Sequence, residues 1–145
     1  MRKLNSSNLT WLGVCFFDPV GRVFLHDDQI YRAVYLARAG FVRSTWKKGV
    51  YKQAMEAGFL VPCRIEKEIE VDGYGPIIWH ERQPFGVKSG EMCRVQALDY
   101  ARLILEFNLQ LSSSADGYGL IDAHSSNVFQ RGCAKPVWTD LGSIR

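Results

Sequence analysis

The order in which hydrophobic periodicities follow one another constrains this chain most. Short stretches rich in β-branched and aromatic residues come first, and a long apolar helical pattern appears only after the last Gly/Pro-rich connector. Val23–His26 and Ile30–Val34 predict a hairpin whose polar turn is Asp27-Asp28-Gln29. From Phe41 to Phe59 the pattern turns helical, with Val42, Trp46, Val50 and Met55 recurring near the helical period and Gly58 placed where a helix stops. Ile65, Ile69 and Val71 alternate with charges as a half-exposed strand, and Ile77-Ile78-Trp79 returns beside it. Gln83–Gly90 reads as a connector and divides the chain into residues 1–88 and 89–145. Glu91–Leu111 predicts the best helix, with Met92, Val95, Leu98, Ala101, Leu105 and Leu109 lining the side expected to be buried. Val128–Gln130 and Val137–Asp140 predict a closing hairpin. Antiparallel strands followed by a helical layer put the chain in the α+β class.

Composition narrows the function classes. A 47% hydrophobic share with 12% aromatics, over 145 residues, supplies a core and excludes a disordered chain. Eighteen Lys and Arg oppose fifteen Asp and Glu, and they are scattered, so no basic stripe announces a nucleic-acid partner. The four cysteines lie far apart, without a C-x-x-C pair, and only three histidines accompany them, which argues against zinc. Cys15, Cys63 and Cys93 sit among apolar residues, as reduced core cysteines do. The apolar run Leu9–Phe17 is ended by Asp18-Pro19, too short to span a bilayer. We expect a cytoplasmic protein with no membrane partner.

One constellation carries chemistry. Asp122 and Asn127 lie five residues apart on a polar loop, and Asp140-Leu141-Gly142 follows the closing hairpin. A hairpin brings its two ends together, so Asn127 at its start and Asp140 at its end can share a point that Asp122 also faces. Carboxylate and amide oxygens gathered there suit a hard cation such as Mg²⁺, which keeps waters and nucleotide phosphates as its other ligands. Asp122 would then orient or deprotonate an attacking hydroxyl.

The spacing D-x-x-x-x-N followed by D-L-G resembles the catalytic core of protein-kinase-like phosphotransferases, the aminoglycoside and choline kinase branch included. The resemblance makes Asp122 the catalytic-loop aspartate, and Asn127 and Asp140 the metal-binding pair. It makes the Glu91–Leu111 helix the support of that loop, and the Pro84–Gly90 connector, with Pro84, Phe85 and Gly86, the hinge whose backbone holds an adenine. It implies a small antiparallel β N-lobe with one helix and an incomplete helical C-lobe. Asp18-Pro19-x-Gly21-x-Val23-Phe24, Ile30-Tyr31-Arg32-Ala33, Gly58-x-Leu60-Val61-Pro62, Glu81-Arg82-x-Pro84-Phe85 and Asp122-Ala123-His124-x-x-Asn127-Val128 together resemble the kinase-like region N-terminal to bacterial S-adenosylmethionine-dependent methyltransferase domains. That likeness implies a truncated chain and a methyltransferase domain in cis or trans. S-adenosylmethionine would be a cofactor only of that further domain. A truncated chain should also leave the long helix with an exposed apolar patch.

Departures from the pattern bear on activity. Arg32 stands where kinases place the phosphate-holding Lys, and its planar fork is not a Lys point charge. Gly21 is the one glycine of the first turn, and Leu120 replaces the usual His. Glu56 offers an acid for Arg32, although a solvated helix face suits it better. His124 reads as a residue that orders its loop, and Trp46, Trp79 and Trp138 as packing residues. The expected function is a Mg-ATP-binding, pseudokinase-like module with weak or no phosphotransfer of its own. The alternatives are an active small-molecule phosphotransferase and a non-catalytic adaptor.

Overall fold

Asp27 and Asp28 both take positive φ, 48° and 59°. A two-residue turn of that kind matches the twist of the strands it joins, and Asp is among the few side chains that tolerate it. The turn links β3 (Gly21–His26) to β4 (Gln29–Tyr35), so Gln29, expected in the turn, opens the second strand. The computed structural model describes residues 1–13, 18–83, 91–130 and 135–145. These fall into two compact units, Met1–Lys48 with Pro62–Arg82 and Gly49–Val61 with Gln83–Arg145. Residues 49–61 thus belong with the second unit, ahead of the boundary expected at the connector. The architecture is α+β, with three α-helices among the described residues. None of the described helices is long and apolar enough to cross a membrane.

The first unit is built on a five-stranded antiparallel sheet in the order β2-β3-β4-β7-β5, where β2 is Thr10–Trp11, β5 is Cys63–Glu66 and β7 is Tyr74–His80. A second, two-stranded sheet pairs β1 (Arg2–Leu4) in parallel with β6 (Ile69–Val71). The segment expected as one strand is therefore two, in different sheets. Glu66 causes the break, because its Oε1 accepts the backbone N–H groups of Lys67 and Glu68 at 2.8 and 3.0 Å and takes them out of the ladder. Phe24, Tyr31, Ala33, Val71 and Ile77 form an apolar cluster, with Trp11 and Tyr74 packed on it. Phe24 stacks on Tyr31 and takes the Trp11 ring edge-on, both at 5.5 Å.

Helix α1 (Leu36–Lys47) packs close to β7 at Gly75. A Cβ there would come within 2.7 Å of the Ala39 Cβ, so any side chain would push helix and strand apart. The single helix expected over Phe41–Phe59 is instead α1 and α2 (Val50–Glu56). Gly49, at φ 78°, takes the left-handed conformation that interrupts the helical run between them. Gly21 has a packing role of its own, since a Cβ at this position would collide with the Ala33 carbonyl oxygen.

The second unit holds α2, α3 (Arg94–Ser112) and the hairpin of β8 (Val128–Gln130) and β9 (Pro136–Trp138). Its interior is aromatic. Phe59 stacks on Phe107 at 5.5 Å, and Phe107 meets the fully buried Trp138 edge-on at 6.5 Å. The Trp138 backbone is tied to the segment after α2, donating to Phe59 O and accepting from Val61 N at 2.7 and 2.8 Å.

The face of α3 is a correction. Leu103, Phe107 and Leu111 are its buried residues, while Val95, Leu98, Leu105 and Leu109 are each at least half exposed. At about 100° per residue, the exposed four share an arc of roughly 80°, opposite the buried three. The sequence offered two apolar sides, and the one carrying Phe107 is the one that the aromatic interior fills. Cys93, expected in the core, is exposed at the start of α3, whereas Cys63 is buried and unoxidised.

Candidate functional site

The polar loop after α3 is pinned from three sides. Its first residues pair with the end of the chain: Gly119 and Arg145 exchange backbone hydrogen bonds at 2.7 and 3.0 Å, and Ile121 N–H donates to Ser143 O at 2.9 Å. Helix α3 holds it at two further points. Leu120 N–H donates to Asn108 Oδ1 at 2.8 Å, and Tyr100 OH donates to the Ala123 carbonyl at 3.0 Å. Burial raises the Tyr100 pKa, and the Asp122 carboxylate adds to the rise, which places the phenol within electrostatic reach of Asp122.

The loop ends in a single 3-10 turn over Ser125–Asn127. His124 caps it: Nδ1 accepts from Ser126 N–H at 3.3 Å and lies 3.0 Å from Ser126 Oγ. The imidazole thereby orders backbone at the turn.

Hydrogen bonds link the Asp122 backbone to Asn127, and Asn127 to Thr139, the neighbour of Asp140. Asn127 Nδ2 donates to the Asp122 carbonyl at 3.2 Å, with the amide oriented by that bond. The Asn127 carbonyl accepts both the N–H and the hydroxyl of Thr139, at 2.8 and 3.1 Å, so the residue before Asp140 is locked to Asn127. Asp140 Oδ1 accepts from Gly142 N–H at 2.9 Å, and its carbonyl takes the Trp138 indole N–H at 2.8 Å. Glycine at 142 and the indole of Trp138 therefore fix Asp140 on both sides. Asp122 is exposed and Asp140 half-buried, so both reach solvent.

No cluster of three His, Cys, Asp or Glu placed to hold a metal occurs among the described residues. Two carboxylates and an amide are a smaller set of strong donors than such a cluster. Their oxygens suit a hard cation that brings most of its own ligands, as Mg²⁺ does with water and phosphate. The Asn127 amide oxygen makes no hydrogen bond among the described residues, and so remains an acceptor.

Arg32 lies in the other unit. It is 3% exposed, on β4, with its guanidinium paired to the buried Asp18 carboxylate. The strand register puts Arg32 opposite Ile78, and His80 opposite both Ile30 and Cys63, so Arg32, His80 and Cys63 share one sheet face. Burial lowers the His80 pKa to about 3, helped by the Arg32 charge. Burial lifts the Cys63 thiol to about 12, against the pull of Arg32, and leaves it unreactive. Glu56, the acid considered for Arg32, is exposed and pairs with Lys52 at 3.7 Å. Pro84, Phe85 and Gly86 lie outside the described residues.

Sequence reasoning missed Asp18, His80, Tyr100 and Asn108. Compared with known proteins, the chain matches no protein-family model and no curated protein.

Proposed function

We propose that this chain is a kinase-like Mg-ATP-binding module, and that Asp122, Asn127 and Asp140 are the residues that serve its cation and phosphates. The observation that carries the reading is the hydrogen-bonded chain from the Asp122 carbonyl through the Asn127 amide and backbone to Thr139 and Asp140. An antiparallel sheet with a helix, followed by a helix-supported loop and a short hairpin, is the architecture that the kinase resemblance implies. When bound, Mg²⁺ would neutralise charge on the nucleotide phosphates, and Asn127 and Asp140 would hold it. Asp122 would orient an acceptor hydroxyl and take its proton, which makes small-molecule phosphotransfer the second activity to test. Pro84, Phe85 and Gly86 are the proposed adenine contacts, whereas Arg32, buried and paired to Asp18, is not offered to a phosphate. The reading includes a bacterial methyltransferase domain, in cis or trans, as partner, and S-adenosylmethionine as the cofactor of that domain.

The test is thermal unfolding with and without Mg-ATP, for the wild type and Asp140→Asn. A ligand of the folded state raises the midpoint, by about 2.7 kcal/mol in stability at a hundredfold excess over Kd. We expect a Mg²⁺-dependent rise in the wild type that is lost in Asp140→Asn. No rise at millimolar nucleotide would instead favour the adaptor reading, to which the exposed apolar side of α3 lends support. ATP turnover abolished by Asp122→Ala would identify a phosphotransferase.

A further inference from the structure

Asp122 sits on a stretch of backbone that one helix grips on both sides. Asn108 holds Leu120 N–H, and Tyr100 holds the Ala123 carbonyl. The two grips are eight residues apart on α3, a rise of about 12 Å. Four residues, Leu120 to Ala123, lie between the two grips, with the chain bending at Ile121. The segment carrying Asp122 is therefore held to α3 at both ends and runs antiparallel to it. Asn108 is itself anchored, donating from Nδ2 to Ile104 O at 3.1 Å. The two grips matter because the Asp122 carbonyl, in the middle of this segment, is the acceptor that occupies the Asn127 amide N–H₂. With the donor end committed, the amide oxygen is the end left for a cation. Loss of a grip would let the Asp122 carbonyl move off, and the Asn127 amide could then rotate either way.

We infer that Tyr100 and Asn108 are positioning residues of the candidate cation site, acting through the backbone of Asp122 on the orientation of the Asn127 amide. The inference rests on the Mg-ATP reading above and extends it to the part of the molecule that makes Asn127 a ligand. Neither residue touches the ion or the nucleotide. Both act in the Mg²⁺-dependent part of binding alone.

Calorimetric titration of the 145-residue chain with ATP, in the presence and absence of Mg²⁺, tests this directly. Tyr100→Phe deletes one partly exposed hydroxyl and should fold. Asn108→Leu removes the second grip, and Ser112→Ala, whose hydroxyl bonds only within its own helix end, is the control. In Tyr100→Phe the gain in affinity conferred by Mg²⁺ should fall about threefold to tenfold, the worth of one hydrogen bond, with Mg²⁺-free binding unchanged. Asn108→Leu, where it folds, should do the same, and Ser112→Ala should match the wild type. A loss below threefold in Tyr100→Phe, or an equal loss without Mg²⁺, overturns the inference. If the wild type gains from Mg²⁺, Asp140→Asn does not, and Tyr100→Phe behaves as wild type, the inference alone fails. A wild type indifferent to Mg²⁺ overturns it together with the reading beneath it.

Discussion

His80 is the residue whose surroundings are hardest to reconcile with a purely apolar core. It is 5% exposed, its Nε2 finds no hydrogen-bond partner among the described residues, and the Arg32 guanidinium lies on the same sheet face. Burial first, and the Arg32 charge second, lower its pKa from 6.5 to about 3. The folded chain thus prefers neutral His80. Its contribution is complete above pH 6.5 and is lost as the pH falls through that value toward 3, at about 1.4 kcal/mol per unit. Denaturant unfolding measured from pH 7 to pH 4 should show this acid limb in the wild type and a flatter one in His80→Leu. Equal slopes in the two proteins would mean that His80 is not buried as a neutral group. The β-branched and aromatic content around Tyr31-Arg32-Ala33 marked a strand in the sequence. It did not mark the face of Arg32, because the partner that makes its burial tolerable, Asp18, comes from the segment before β3, where no local periodicity points to it.

Helix α3 shows how an element can be legible in existence and illegible in orientation. Its extent was nearly right, Arg94–Ser112 against an expected Glu91–Leu111. Its buried side was reversed, since leucines occur all round it and only contact with Phe59 and Trp138 selects the side of Phe107. Val95, Leu98, Leu105 and Leu109 consequently form an exposed apolar stripe on one side of a single helix. The double substitution Leu98→Lys with Leu105→Glu should lower self-association and hydrophobic-dye binding, as read by sedimentation and fluorescence. Stability should change by no more than about 0.5 kcal/mol per site, as at other exposed positions. A loss of several kcal/mol would show that these leucines are packed, and unchanged association would show that the stripe is not the adhesive surface. Helices α1 and α2 give the same lesson in milder form: the helical period ran on through Gly49, and the left-handed backbone there still divided it.

At the scale of the molecule, the sequence spacing of Asp122, Asn127 and Asp140 becomes a connected arrangement because three elements cooperate. Helix α3 grips the loop, the β8–β9 hairpin returns Thr139 to Asn127, and the chain end pairs with Gly119 and Ile121. The hairpin was readable from residue types and spacing. The supports were not, since Tyr100 and Asn108 act on backbone atoms, for which side-chain patterns carry no signal. The central claim is that these side chains serve one ion. Its most direct test is a crystal structure of the chain grown with Mg²⁺ and a non-hydrolysable ATP analogue. The account predicts one Mg²⁺ about 2.1 Å from both Asn127 Oδ1 and an Asp140 carboxylate oxygen, with phosphate oxygens and water completing its shell. Nucleotide bound without contact to either residue, or Asn127 and Asp140 directed to separate places, would contradict it.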